Sequence, residues 1–181
     1  MGEQKEAQAR YDAAYEVFVN FLGEDHPTVY NCRCSIAKLQ MEAGHIREAL
    51  GEFEELLKCR EDMLGANHPV VADNHLLVGE CMRVMGKFEE AQQHNEMAHV
   101  IIKPLFGHDH PKFADVRFAE AECARSHGQL EKARALHAEA MKIRRDAYGK
   151  DHPDFVKSMQ GKADLDSNCD SNMEEVATLS K

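Results

Sequence analysis

The residues of this chain with the most chemical reach are its eleven histidines and six cysteines, and their spacing favours structure over reaction. His108-Asp109-His110 carries the side chains of a metal site, since imidazole and carboxylate both ligate divalent ions. Yet Asp109 and His110 recur, at one fixed spacing, as Asp25-His26 and Asp151-His152, with Asn67-His68 between them, which leaves only His108 unaccounted for. Cys32 and Cys34 stand two apart; on a helix they point in different directions and cannot share one ion from that spacing. Cys59, Cys81, Cys123 and Cys169 complete a scattered set without C-x-x-C pairs, and Cys81 and Cys123 fall at one repeat position, as small core residues do. No nucleophile elbow, glycine-rich phosphate cradle, metalloprotease helix motif or coupled acid pair is present in the sequence. The expectation is a non-catalytic protein with no metal and no cofactor.

What positions these residues is a repeat. Gly23, Gly65, Gly107 and Gly149 are each 42 residues apart, and each is followed three residues later by His-Pro: His26-Pro27, His68-Pro69, His110-Pro111 and His152-Pro153. A second ladder runs through Gly44, Gly86 and Gly128, with Ala49, Ala91 and Ala133 five residues on. The first glycine suits a helix C-terminus in the left-handed conformation. Asp25, Asn67, Asp109 and Asp151 are expected to cap the next helix through their side-chain oxygens, and proline then falls in the first turn, where no N–H is needed. Between these marks, apolar residues recur three and four apart, as in Ile46, Ala49, Leu50, Phe53, Leu56 and Leu57.

The spacing predicts an all-α array over residues 1–161: a half-repeat helix at 4–22, hairpins at 27–64, 69–106 and 111–148, and a final helix from about 153 to about 165. Ala7, Tyr11 and Ala14 keep register with Ala49, Phe53 and Leu56. Starting and stopping in mid-repeat suggests a piece of a longer array. Residues 162–181, polar and acidic, are expected to be a disordered tail. The net charge of −10 disfavours nucleic acid and anionic membranes as partners. No stretch is apolar enough to span a bilayer, and the charged start Met1-Gly2-Glu3-Gln4-Lys5-Glu6 lacks a secretion core, so reduced thiols in the cytoplasm are expected.

These residues resemble the tetratricopeptide repeat, and the 42-residue unit with its His-Pro joints is similar to the kinesin light chain and nephrocystin subgroup. The resemblance implies a right-handed α-solenoid, a superhelix of antiparallel helix hairpins. In such repeats a small residue midway along the first helix packs on the second, and Ala37, Gly79 and Ala121 stand there. Tyr11 and Phe53 hold an aromatic position that becomes Asn95 and His137. Glu120 replaces an apolar core residue and is expected to be partly exposed, with Arg134 or a neighbour as partner. The first helix of each hairpin would line a concave groove, and the family's groove positions fall on Asn31, Cys34, Ser35 and Lys38, then Asp73, Leu76, Leu77, Glu80 and Arg83, then Asp115, Phe118, Ala119, Glu122 and Arg125.

Asp73, Glu80, Asp115 and Glu122 would form an acidic stripe beside Leu76 and Phe118, suited to a peptide with basic and large apolar residues. Two readings stay open for these acids: a peptide groove, or a solvated face neutralised by Arg83 and Arg125. The chain lacks the Lys and Asn rungs of chaperone-carboxylate clamps and the paired Asn of motor-cargo adaptors. The function the resemblance implies is a protein- or peptide-binding scaffold. The alternatives are a structural piece that associates end to end, and a segment regulating an enzyme elsewhere in a larger chain.

Overall fold

The structure, a computed structural model, describes the backbone of residues 2–179 and the side chains of residues 6–166. The described backbone forms eight helices and no strand: α1 Gly2–Leu22, α2 Pro27–Glu42, α3 Ile46–Leu64, α4 Pro69–Val84, α5 Phe88–Phe106, α6 Pro111–Ser126, α7 Leu130–Tyr148 and α8 Pro153–Leu179. Each helix packs on the next in the chain, and α4 also touches α6, and α6 touches α8. That pattern is an α-solenoid of helical hairpins: α2–α3, α4–α5 and α6–α7, with α1 and α8 at the two ends. The last helix does not stop near 165. It continues to Leu179, and Leu165 is fully buried against Ala124 and Ala133, so residues 162–166 are ordered array and not disordered tail. The remaining side chains of that segment lie outside the described residues.

The joints differ from the sequence expectation in one atom. Each incoming helix is capped by the histidine and not by the Asp or Asn before it. Nδ1 of His26, His68, His110 and His152 accepts from the backbone N–H two residues on, at 3.1–3.2 Å. A neutral imidazole nitrogen does here what a Ser or Asp oxygen does at most helix starts. Asp25 instead accepts from the Tyr30 hydroxyl at 3.1 Å, and burial followed by that bond pushes the Tyr30 phenol up to about 12. Tyr148 stacked on His152 and Phe106 packed at a tilt against His110 hold these rings. The glycine ahead of the joint has positive φ as expected but an extended ψ: Gly65 at φ 82°, ψ 151° and Gly107 at φ 80°, ψ −178°. That region is closed to side chains more firmly than the left-handed helical one.

Between helices the core runs as successive apolar clusters. Phe53 and Leu56 with Ala37 and Val78 fill the first; Phe113, Ile101 and Ile102 with Val71 and Val116 fill the second. Each such fully buried side chain contributes about 2 kcal/mol. Two buried arginines interrupt this core. Arg60 on α3 donates to Asn74 on α4 and, at 2.9 Å, to Asn31 on α2. Arg144 on α7 repeats the arrangement 84 residues later, donating to Ser158 on α8 and Asp115 on α6, both at 2.7 Å, and to the Asp154 carbonyl at 3.1 Å. The repeat between them carries Ile102 against Val116 in the same seats. Polar pair and apolar pair are therefore interchangeable units. Of the two partners expected for Glu120, the neighbour is the one found: Arg117 at 2.7 Å and His99 at 2.9 Å hold it, while Arg134 pairs with Glu131 and Asp166. Glu120 is half-buried.

In the second hairpin His75 and His94 face each other with Nδ1 atoms 3.0 Å apart, and His75 Nε2 lies 3.7 Å from Glu61. Burial and then the neighbouring His94 hold the His75 imidazole down at about 4; burial also lowers His94, against the pull of Glu54.

Two outcomes follow for stability. Arg144→Ile should cost about 2 kcal/mol by stranding Ser158 and the Asp154 carbonyl, and adding Ser158→Val, which reproduces the Ile102/Val116 pair, should recover most of it in urea unfolding. For His75 the unfolded chain binds the proton more tightly than the folded one. Stability should thus fall as pH drops from about 6.5 to about 4, by about 3 kcal/mol for this residue, and His75→Gln should remove that share of the pH dependence.

Candidate functional site

The first helix of every hairpin turns one face to a shared groove of about 720 Å³. Four helices contribute: α2 through Lys38 and Met41, α4 through Asp73, Leu76, Leu77 and Glu80, α6 through Asp115, Phe118, Ala119, Glu122 and Arg125, and α8 through Asp154, Lys157, Gln160, Gly161 and Asp164. Three- and four-residue spacing on each helix brings these side chains to one face, and the contacts of α4 with α6 and of α6 with α8 set the rows side by side. Leu76 and Phe118 are half-buried on the rim of the core, so each offers an apolar seat with one side already packed. Phe118 is the better defined. The Arg144 guanidinium and the Lys157 ammonium approach its ring at 5.0 and 4.9 Å, and the His137 ring meets it edge-on.

Every acid of the stripe has a cation of this chain beside it. Lys112 Nζ sits 2.8 Å from both oxygens of Asp73; Arg83 donates twice to Glu80, at 2.6 and 2.8 Å; Arg144 holds Asp115; Arg125 donates to Glu122 at 2.6 Å. Glu122 also lies 3.2 Å from Nε2 of the fully buried His137. Burial pushes the Glu122 carboxyl up, but the bonds from His137 and Arg125 outweigh it and hold the group down at about 2. It is a fixed anion at any physiological pH. Asp73 and Asp115 remain about half exposed, so these paired acids still present carboxylate to a ligand.

Sequence models described as tetratricopeptide repeat match residues 31–70 and 70–146, together well over half of the chain. The chain belongs to the tetratricopeptide repeat family. No curated protein matches the chain. Among solved structures, it is similar to a Podosopora anserina protein described as a putative kinesin light chain with nearly identical TPR-like repeats: TM-score 0.67 at 18% identity, over 99% of this chain and 85% of that one. A single-residue variant of the same protein gives 0.68 at 19%, over 99% and 84%. BtubC (BKLC) from P. vanneervenii gives 0.71 at 20%, over 91% of this chain and 65% of that one. At these identities the likeness is one of fold.

Of the tetratricopeptide groove positions read from sequence, Lys38, Asp73, Leu76, Glu80, Asp115, Phe118, Glu122 and Arg125 do line the cavity, as do Leu77 and Ala119. Three do not. Cys34 is buried in the first core cluster, Asn31 is bonded to Arg60, and Arg83 turns to Glu80 and to Ser126 at 2.9 Å. Missed altogether were Met41, Arg144 and the inner face of α8: Asp154, Lys157, Gln160, Gly161 and Asp164. Continuing the register by 42 residues from Asp115, Phe118 and Glu122 lands on Lys157, Gln160 and Asp164, so the signal was there for α8. Arg144 carried a fainter one, its two-repeat spacing from Arg60. Among the described residues no cluster of three metal-ligating side chains forms, and no helix is long and apolar enough to cross a membrane.

Gly161 serves the groove by what it lacks. A Cβ there would lie 2.6 Å from His137 Cε1 and 3.1 Å from both ring nitrogens. The ring is wedged between Phe118 and Glu122 and has nowhere to go. Gly161→Ala should therefore lower stability by about 1–2 kcal/mol, reversing the gain of up to about 1 kcal/mol that alanine brings in a helix, as read from thermal unfolding.

Proposed function

We propose that this repeat scaffold binds a protein segment along the groove formed by α2, α4, α6 and α8, and that the segment carries basic residues beside large apolar ones. The observation behind this reading is the alternation within the groove: apolar seats at Met41, Leu76, Leu77 and Phe118 stand between carboxylates at Asp73, Glu80, Asp115, Glu122, Asp154 and Asp164. Six acids against the four cations Lys38, Arg125, Arg144 and Lys157 leave the lining acidic. Intrachain pairing fixes the rungs in place, so a ligand meets preorganised acceptors and loses little side-chain entropy on their account. Lysine or arginine on the ligand would extend each pair into a shared network, and its apolar residues would cover Leu76 and Phe118. An incoming chain with the opposite charge would meet the acidic lining unfavourably, which gives selectivity as well as attraction.

Peptides selected from a random displayed library against the full chain should be enriched in Lys or Arg spaced with Leu, Ile or aromatic residues. Titrated by fluorescence anisotropy, they should lose about tenfold in affinity on Asp73→Lys with Asp164→Lys, both outside the buried pairs, and nothing on Glu48→Lys at the far side. Enrichment of acidic peptides, or equal loss from both variants, would refute the groove assignment.

A further inference from the structure

The repeats control for one another on the solvent side of the solenoid. On α3 the outward positions at i, i+3 and i+7 are Glu55, Lys58 and Asp62; on α7 they are Glu139, Lys142 and Asp146; on α1 they are Ala13, Glu16 and Asn20. On α5 the same three positions are Met97, Val100 and Pro104. Met97 is 50% and Val100 65% exposed, so neither has been drawn into the core. At Val100 folding does not require an apolar residue, because α3 and α7 carry exposed Lys58 and Lys142 there; at Met97 the siblings carry Glu55 and Glu139, paired with Arg33 and Arg117, where this repeat has His75. A stripe of exposed apolar residues at helical spacing, in a place where its sibling helices are charged, is an association surface.

The charges beside the stripe indicate what covers it. Glu96 and Lys103 flank it on one side, seven residues apart, and both are exposed. Among the described residues Glu96 accepts from the Gln92 amide and has no basic partner, and Lys103 has no acidic one. When two copies of α5 lie antiparallel across a two-fold axis near Val100, residues flanking the same side of the stripe face each other. Glu96 of one copy then meets Lys103 of the other, twice, while Met97 and Val100 of both copies close over one another.

We infer that the chain self-associates side by side, through an isologous α5–α5 contact made by Met97, Val100, Glu96 and Lys103 on the surface opposite the peptide groove. The contact is independent of the groove reading and leaves the groove open in each copy. It also differs from end-to-end stacking, because it closes after two copies and does not grow. One helix pair buries less than the roughly 1,600 Å² of a standard interface, so the dimer forms at micromolar concentrations and above.

Sedimentation velocity of the full chain over a concentration series should show a monomer–dimer equilibrium. Met97→Glu with Val100→Lys installs the residues of α3 and α7, so the variant should keep its thermal unfolding midpoint while its dimer dissociation constant rises at least about tenfold. Glu96→Lys alone should weaken the dimer, and adding Lys103→Glu should restore it, because the swapped pairs match again. A chain that stays monomeric throughout would assign the stripe to a different protein and overturn the inference. Dimerisation indifferent to these substitutions, or mass that keeps growing with concentration, would overturn it too.

Discussion

Everything in this molecule depends on the joint between hairpins, because a helix pair of this length cannot bury both of its apolar faces alone and must be set on its neighbour at one repeated angle. Three features fix that angle. A glycine at φ near +80° with extended ψ turns the chain out of one helix, a histidine ring accepts the first free N–H of the next, and a proline presets the dihedral that follows. The histidine is the unexpected member. An Asp in its place could accept the same bond, but it would bring a charge and no ring. Phe106 and Tyr148 pack against the imidazoles, so one residue caps the helix and also covers the apolar end of the previous one. Position after position down the chain inherits its register from this unit, including the rows that line the groove.

This explains which parts of the structure were legible in the sequence. Glycine and proline speak through the backbone, and the backbone rules are local, so helix starts and stops could be read directly. The cap was misassigned because an oxygen of Asp or Asn is the commoner acceptor at that position, and nothing in composition shows that the imidazole turns inward. Groove residues were legible where they sit in the middle of a first helix and illegible where another repeat claims them. Asn31 and Cys34 occupy groove positions by register, yet α2 opens the first complete helix pair, where Arg60 reaches across to take Asn31 and the core closes over Cys34. A pattern built on one repeat cannot show what the adjacent repeat sends into it.

The deeper regularity has a period of two repeats. Arg33 and Arg117 hold Glu55 and Glu139, and Arg60 and Arg144 reach Asn74 and Ser158, each pair 84 residues apart. The middle repeat answers with His75, Met97, Ile102 and Val116 at the same places. Each buried arginine is tolerable because its terminal guanidinium nitrogens are met on two neighbouring helices, and each apolar substitute because its partner changed with it. Arg60 with Asn74, and Ile102 with Val116, are two solutions of one packing problem. Glu122 and His137 form a third local solution: with histidine in the seat of Phe53, the neighbouring helix must offer both a carboxylate and the bare Gly161.

These compensations separate two kinds of departure from the repeat. Where a buried position changes chemistry, a contacting residue changes too, as Gly79 does beside Asn95, whose amide oxygen fills the space of the missing Cβ. The change is then accounted for within the fold. Where an exposed position changes and nothing in the chain changes with it, the compensation lies outside the chain. Val100 meets that condition: the equivalent positions of α3 and α7 keep Lys58 and Lys142, and Val100, like its neighbour Met97, stays largely exposed. The groove acids Asp73, Glu80, Asp115 and Glu122 do not meet it, because Lys112, Arg83, Arg144 and Arg125 already answer them. The groove is thus a surface built and held ready by the fold, whereas the outer stripe of α5 is left incomplete by it.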